Sequence, residues 1–315
     1  MKLKKDSMPG LALAIILFLV IFLAPGPSVC GQSSQDCQTA SQMVSQAFDL
    51  GQSRAVHSEQ KVLLNKALAL CPQHPEAHNN LAVILEEEND YPQALFHYQQ
   101  AVDIRPDFAE AWFGLGEVHY KSGRFTQSLE AYLKACGKDK EAGKKVGDLL
   151  NTHRYSVSEA GEIMNKESLL ILFDKKRRTE INRMIAQCGY RADVQPVFVF
   201  RNILFDVTSA TIKAESTAQI QEIGAALKEV PTARVVVSGH TDKQCFRGVS
   251  QEESDRRNIQ LSRERADSVA MELARMSISA DRLKTAGYGP TKPEEPGDNP
   301  ETYAKNRRVT IEVVE

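Results

Sequence analysis

The chain has 315 residues, long enough for two modest cores, and its 42% apolar and 25% charged residues are ordinary for globular protein. Its formal charge is −2; Lys2, Lys4, Lys5 and Asp6 give Met1 to Cys30 a net +2, so the remainder carries −4. That mild acidity argues against nucleic acid as the main partner.

Met1 to Cys30 reads as a targeting segment. A basic start precedes an unbroken apolar run, Leu11 to Ala24, which Pro25-Gly26-Pro27 breaks. Fourteen apolar residues are short for a membrane span, which needs about 20, so a cleaved signal peptide is the first reading and an uncleaved anchor the second. Pro27-Ser28-Val29-Cys30 half resembles a lipoprotein box, which makes Cys30 a candidate for lipidation. Export would expose Cys30, Cys37, Cys71, Cys136, Cys188 and Cys245 to an oxidising compartment. Their spacings fit no zinc pattern, and six cysteines allow 15 pairings.

From Gln38 to Ala135 the apolar period is helical and the pattern repeats every 34 residues. Ala67, Ala101 and Ala135 keep that spacing, as do Pro72 and Pro106, Leu81 and Leu115, Tyr91 and Phe125, and Tyr98 and Tyr132. The copy with Ala111-Trp112-Phe113-Gly114-Leu115-Gly116, Gly123-Arg124-Phe125, Tyr132 and Ala135 resembles a tetratricopeptide repeat. Pro75 to Phe108 is a second copy, and Ser41 to His74 a divergent first, its second helix near Val56 to Leu70. Small residues let paired helices approach, Trp112 and the tyrosines fill the gaps, and the prolines forbid continuation. The resemblance implies a solenoid of about three repeats over residues 38–137 with a groove for a protein partner. In that geometry Cys37 precedes the first helix of copy one and Cys71 ends its antiparallel second helix, so the two are expected to pair.

Residues 138–192 read as a helical cap and linker. Glu141 to Asn151 is amphipathic, Ser158 is placed as the cap of a helix over Glu159 to Asn165, and Leu169 to Ile185 reads as one helix. Its Lys175-Lys176-Arg177-Arg178 cluster is taken as a solvated face. The last domain, 193–315, alternates strands and helices: Val197 to Phe200, a broken strand at Ile203-Leu204-Phe205, a helix from Ala214 to Val230, a strand from Arg234 to Ser238, a helix from Asn258 to Met276, a strand from Leu283 to Tyr288, a Pro-rich loop from Lys292 to Pro300 and a strand from Val309 to Val314. That order argues for a mixed sheet with helices packed on it.

The strand at Arg234 ends in Gly239-His240-Thr241-Asp242, an acid at its tip. Asn258, Leu261 or Ser262, and Arg265 share one helix face if that helix starts by Asn258. Facing the strand end, that face would make a pocket with a carboxylate on one wall and a guanidinium on the other, which suits a zwitterion.

These residues, with Asn306-Arg307-Arg308-Val309, Ile203-Leu204-Phe205-Asp206, Ser209-Ala210 and Gly287-Tyr288-Gly289, resemble the OmpA C-terminal domain family, which includes the peptidoglycan-associated lipoproteins. The resemblance covers roughly Val197 to Glu315. It implies an α/β sandwich that grips peptidoglycan noncovalently, with Asp242 on the ammonium of the diaminopimelate side chain and Arg265 on its carboxylate. It also places Asp206, Thr241, Asn258, Leu261, Arg307 and Arg308 at or beside that site. One departure stands out: Lys243 to Arg257 make the connection about eight residues longer than is usual in the family.

His240, Asp242 and Cys245 make a poor metal set, and Asp206 with Asp242 a poor acid–base pair. No phosphate loop, nucleophile elbow or convincing triad appears. The chain therefore reads as a non-enzyme without cofactor, lying on the periplasmic side of the envelope with the outer membrane or wall. The rival reading is an assembly adaptor whose terminal domain no longer binds wall, the long connection having altered its pocket.

Overall fold

The structure is a computed structural model that describes residues 34–51 and 53–314. The targeting segment and Cys30 lie outside the described residues. Among them no helix is long and apolar enough to cross a membrane.

Three helical hairpins come first: α1 (Ser34–Asp49) with α2 (His57–Leu70), α3 (Pro75–Glu87) with α4 (Tyr91–Ile104), and α5 (Ala109–Lys121) with α6 (Phe125–Ala135). Their ends are set by local chemistry. Pro75 opens α3, and the Asp90 carboxylate accepts from Gln93 N (3.3 Å) to cap α4. α2 and α4 stop two residues before Pro72 and Pro106. Tyr98 and Tyr132 are fully buried, and their rings fill the places where Gly114 and Gly116 carry no side chain. The Tyr98 hydroxyl donates to Glu86 (2.8 Å) and the Tyr132 hydroxyl to Glu117 (2.5 Å), so each buried ring keeps its polar end satisfied. A Cys37–Cys71 disulfide joins the two ends of the first hairpin.

The segment after the hairpins packs on both neighbours. α7 (Lys140–Thr152) leads to β1 (Val157–Ser158), α8 (Lys166–Phe173) and α9 (Lys175–Gln187). No helix forms over residues 159–165: Ser158 is in β1, Gly161 has a φ of +84°, and Asn165 caps α8 by accepting from Ser168 N (2.9 Å). The single helix expected over Leu169 to Ile185 is two, broken at Asp174, whose extended backbone and side chain cap α9 at Arg177 N (2.9 Å). Half of the basic cluster is structural rather than solvated: Arg178 is buried and donates to Leu172 O (2.6 Å), and Arg177 pairs with Glu130 (3.0 Å). A second disulfide, Cys136–Cys188, fastens the end of α6 to the end of α9.

The last part is β2 (Val197–Phe200), α10 (Thr217–Glu229), β3 (Arg234–His240), α11 (Gln251–Arg275), β4 (Leu283–Gly289), α12 (Pro300–Asn306) and β5 (Val309–Val314). The sheet order is β1-β2-β5-β3-β4, with β1/β2 and β3/β4 parallel and β2/β5 and β5/β3 antiparallel. Ile203 to Phe205 is a bend with one bridge, Phe205 to Ile212, and not a strand. α12 follows the Pro-rich loop in a stretch given no element from the sequence; Pro300 starts it and Asn299 caps it through Thr302 N (2.8 Å).

β1 adds a strand from the linker to this sheet. The Gln219 amide, almost wholly buried, accepts from Met164 N (2.9 Å) and Asn202 Nδ2 (2.7 Å) and donates to Met164 O (3.0 Å), keying the linker to α10. Phe173 of α8 meets Phe198 of β2 edge-on at 5.1 Å. One apolar cluster runs from Ala109 of the third hairpin to Val313 of β5, so the repeats and the sheet share a core.

Two glycines set how closely α11 lies on the sheet. A Cβ at Gly239 would overlap the backbone carbonyl of Ser262, and one at Gly287 would overlap the backbone of Arg263. Gly239→Ala must therefore push α11 off β3. We expect it to cost about 3 kcal/mol by denaturant melt, the upper range for overpacking, against little change for Gly143→Ala, where the added Cβ meets open space.

Four histidines have their pKa lowered, His78 among them through burial. His97 sits at about 4, through burial and then through His78, whose Nδ1 is 2.9 Å from its own. His119 also sits at about 4, through burial and Arg124, and His240 at about 3, through burial first and Arg308 next. The unfolded chain binds protons near 6.5 where the folded one does not, so stability is full above that pH and falls toward 4. Thermal melts at pH 7.5 and 4.5 should differ, the acid sample losing on the order of 2–3 kcal/mol, and His97→Gln should remove part of that loss.

Candidate functional site

β3 and α11 meet at the carboxyl end of β3. There the strand delivers Thr241 and Asp242, and the helix delivers Asn258, Leu261 and Arg265 from one face, as their spacing requires. The end of β4 ties them together: Gly289 N donates to the Ser262 hydroxyl of α11 (2.8 Å), and Gly289 O accepts from Thr241 N just past β3 (3.0 Å).

Asp242 is only 7% exposed and its carboxylate is oriented twice. Oδ1 accepts from Gln244 N (2.9 Å), an Asx turn, and Oδ2 accepts from Arg307 (2.5 Å). Arg265 donates through Nε to Ser209 O (3.0 Å), and its guanidinium lies 5.0 Å over the Phe205 ring. Burial, and then Arg307, lower the Arg265 pKa from its ordinary value while Asp242 opposes them. The Thr241 hydroxyl oxygen is buried with no hydrogen-bond partner.

Asp206, Thr241, Asp242, Asn258, Leu261, Arg265 and Arg307 all line one open cavity of 640 Å³. Arg308 does not. It lines with His240 an adjoining cleft of 90 Å³ that shares Phe205, Arg265 and Arg307 with the cavity, lies 3.5 Å from Glu294 and donates to Lys292 O (3.1 Å) and Asn306 O (3.3 Å). Sequence reasoning passed over Val207, Thr208, Gln244, Phe246 and Arg247, which also line the cavity. Gln244, Phe246 and Arg247 belong to the lengthened connection, and that added length was the only signal for them.

The connection itself is shorter than expected. α11 starts at Gln251, with Ser250 accepting from Glu253 N (3.3 Å), so the added residues are largely two extra turns of helix. Cys245 is exposed and unpaired in a disulfide. Among the described residues no group of three or more His, Cys, Asp or Glu side chains could hold a metal.

The family model described as the OmpA family matches residues 204–307, and tetratricopeptide-repeat models match 63–96, 84–123 and 109–142. The chain is 36% identical over 110 residues to the "Probable lipoprotein YiaD" of Escherichia coli, covering 35% of this chain and 47% of that protein. It is 32% identical over 106 residues to the "Peptidoglycan-associated lipoprotein" of Legionella pneumophila, 34% of this chain and 56% of the relative. It is 39% identical over 87 residues to the "Peptidoglycan-binding protein ArfA" of Mycobacterium tuberculosis, 28% of this chain and 24% of the relative. The chain thus spans about half or less of the length of these curated relatives. Among solved structures, the cell wall anchor of the T6SS from Pseudomonas aeruginosa aligns at 27% identity with a TM-score of 0.35, over 44% of this chain and 98% of that one. Residues 204–307 are therefore an OmpA-family domain, carried in this chain behind tetratricopeptide repeats.

Proposed function

We propose that this chain is a non-catalytic protein of the cell envelope that binds the peptidoglycan stem peptide through its terminal domain and a protein partner through its repeats. The observation that carries the reading is that Asp242 and Arg265, from a strand end and a helix, line the same cavity. A zwitterion with its ends on those two walls is the side chain of diaminopimelate. Asp242 takes the ammonium and Arg265 forks the carboxylate. Thr241 and Asn258 supply hydrogen bonds beside them, and Leu261 meets the methylene chain.

The adaptor reading rested on the long connection altering the pocket. The added residues extend α11 and leave the cavity open, which favours wall binding. The relatives' names, a peptidoglycan-binding protein and a peptidoglycan-associated lipoprotein, support the same ligand class. On the repeat side, Glu86 of α3 pairs with Lys121 of α5 (2.7 Å), and Glu117 of α5 with Lys145 of α7 (2.8 Å). These two ion pairs join α3, α5 and the capping α7 along one side of the stack, a charged row on which a partner would lie. Residence on the periplasmic side of the envelope, attached by the wall alone after cleavage of the signal peptide, or also by a lipid on Cys30 or an uncleaved helix, belongs to the same proposal.

Isothermal titration with the tetrapeptide L-Ala-γ-D-Glu-meso-diaminopimelate-D-Ala tests it. Asp242→Asn should weaken binding by about 3 kcal/mol, more than a hundredfold, because the ligand ammonium loses its charged partner in a shielded site. Replacing diaminopimelate by lysine removes the carboxylate and should weaken wild type, but not Arg265→Ala any further. Full affinity in Asp242→Asn would end the assignment.

A further inference from the structure

The cavity wall formed by residues 243–250 is pinned, not draped. Asn258 Nδ2 donates to Gln244 O (3.3 Å), Phe246 N donates to Ser254 Oγ (2.9 Å), and the Cys245 thiol donates to Gln251 Oε1 (2.7 Å). Ser254 is fully buried. Ser254 and Gln251 belong to the extra turns of α11, so the longer connection and the longer helix make one built wall. Gly248, at a φ of +78°, turns the chain back toward the helix.

Arg247 lies on this wall and lines the cavity, yet among the described residues its guanidinium has neither a hydrogen bond nor an ion pair. The other cavity cations are engaged: Arg307 with Asp242, Arg265 with Ser209 O. Asp206 also lines the cavity, a carboxylate that would repel an anion brought near it. A cavity of 640 Å³ also holds more than the two ionic ends of one amino acid. Once a zwitterion occupies Asp242 and Arg265, one rim cation is left without its counterpart.

We propose that Arg247 is a specificity residue that forks a second carboxylate on the same stem peptide. It makes the site prefer stems whose carboxyl beside diaminopimelate is free over stems in which it is amidated. The proposal rests on the reading of Asp242 and Arg265 given above. Two carboxylates flank diaminopimelate in a tetrapeptide stem: the α-carboxylate of the γ-linked D-glutamate and that of the terminal D-alanine. Either is planar and matches a guanidinium fork. Phe246, next to Arg247 in the chain, and Val207, 88% exposed, line the same cavity and would shield the pair once ligand covers them. A rim ion pair in open water contributes little, so the preference is moderate.

The test titrates the full chain with three tetrapeptides that all keep the diaminopimelate zwitterion: both carboxylates free, D-isoglutamine in place of D-glutamate, and a C-terminal carboxamide. Wild type should lose about five- to tenfold on one of the two amidated peptides, which names the carboxylate used. Arg247→Gln should bind all three alike, at the weaker affinity, with an unchanged melting temperature because the side chain has no partner to lose. Equal binding of all three by wild type, or unchanged discrimination in Arg247→Gln, overturns the role of Arg247 and leaves the diaminopimelate pair standing. No heat with any peptide sinks both.

Discussion

The site exists because a helix lies unusually close to two strands. α11 crosses β3 and β4 where both present glycine, and the contact leaves no room for a Cβ at Gly239 or Gly287. Helix–sheet layers are normally held apart by side chains. Here backbone meets backbone, and the Ser262 hydroxyl then bridges helix to strand end by accepting from Gly289 N. The gain is positional. Asp242 follows the last residues of β3, Arg265 sits one turn past Ser262, and neither has slack in the element behind it. A charged pair aimed at a ligand is useful only if its separation is fixed before the ligand arrives. The glycine contact fixes it.

The second constraint is the shared core. Tetratricopeptide hairpins bury their apolar sides only against neighbours, so the last hairpin must be capped. In this chain the cap is not a lone polar-faced helix. α7, α8 and α9 cover the third hairpin and continue into the sheet through β1, the Gln219 network and Phe173 against Phe198. The Cys136–Cys188 disulfide closes the same junction from the repeat side. A pull on the repeats is thus passed to the terminal domain through packed side chains rather than through a polar linker.

Much of this was legible in the sequence, and the failures have physical reasons. The 34-residue spacing of Ala67, Ala101 and Ala135 and of Pro72 and Pro106 located the second and third hairpins, while the divergent first was read from Ser41 although α1 begins at Ser34. Val309 to Val314 could be read residue for residue, since alternation in a half-covered strand is unambiguous. The start of α11 was missed because Gln251 to Arg257 is wholly polar. Those turns are stabilised by the Ser250 cap and by Glu253 pairing with Arg256 (2.9 Å) and Arg257 (2.8 Å), and leave no apolar period to read. The break at Asp174 was missed for the opposite reason: the apolar run of α8 continues into the periodic face of α9, and only the capping geometry separates them. Asp242 and Arg265 could be expected in one pocket because motif and spacing coincide, and they do line one cavity; Arg247 lines it too but could not be read, because a lone arginine in a polar connection has no pattern.

The unliganded pocket already holds its carboxylate in a paired state, and this bears on how a zwitterion enters. Asp242 is nearly buried, and an unpaired charge there would cost several kcal/mol in desolvation. Arg307 and Gln244 N meet that cost in advance, one on each oxygen. A carboxylate has about four acceptor positions, so two remain for an ammonium without displacing either partner. On the proposed reading an ammonium would complete Asp242 rather than compete for it, while the half-exposed Arg307 would add its charge to that of Arg265 around the ligand's carboxylate. Two cations and one buried anion form an asymmetric cradle. It favours a ligand whose carboxylate is more strongly held than its ammonium, and a free amine without the neighbouring carboxylate would meet net repulsion from the same walls.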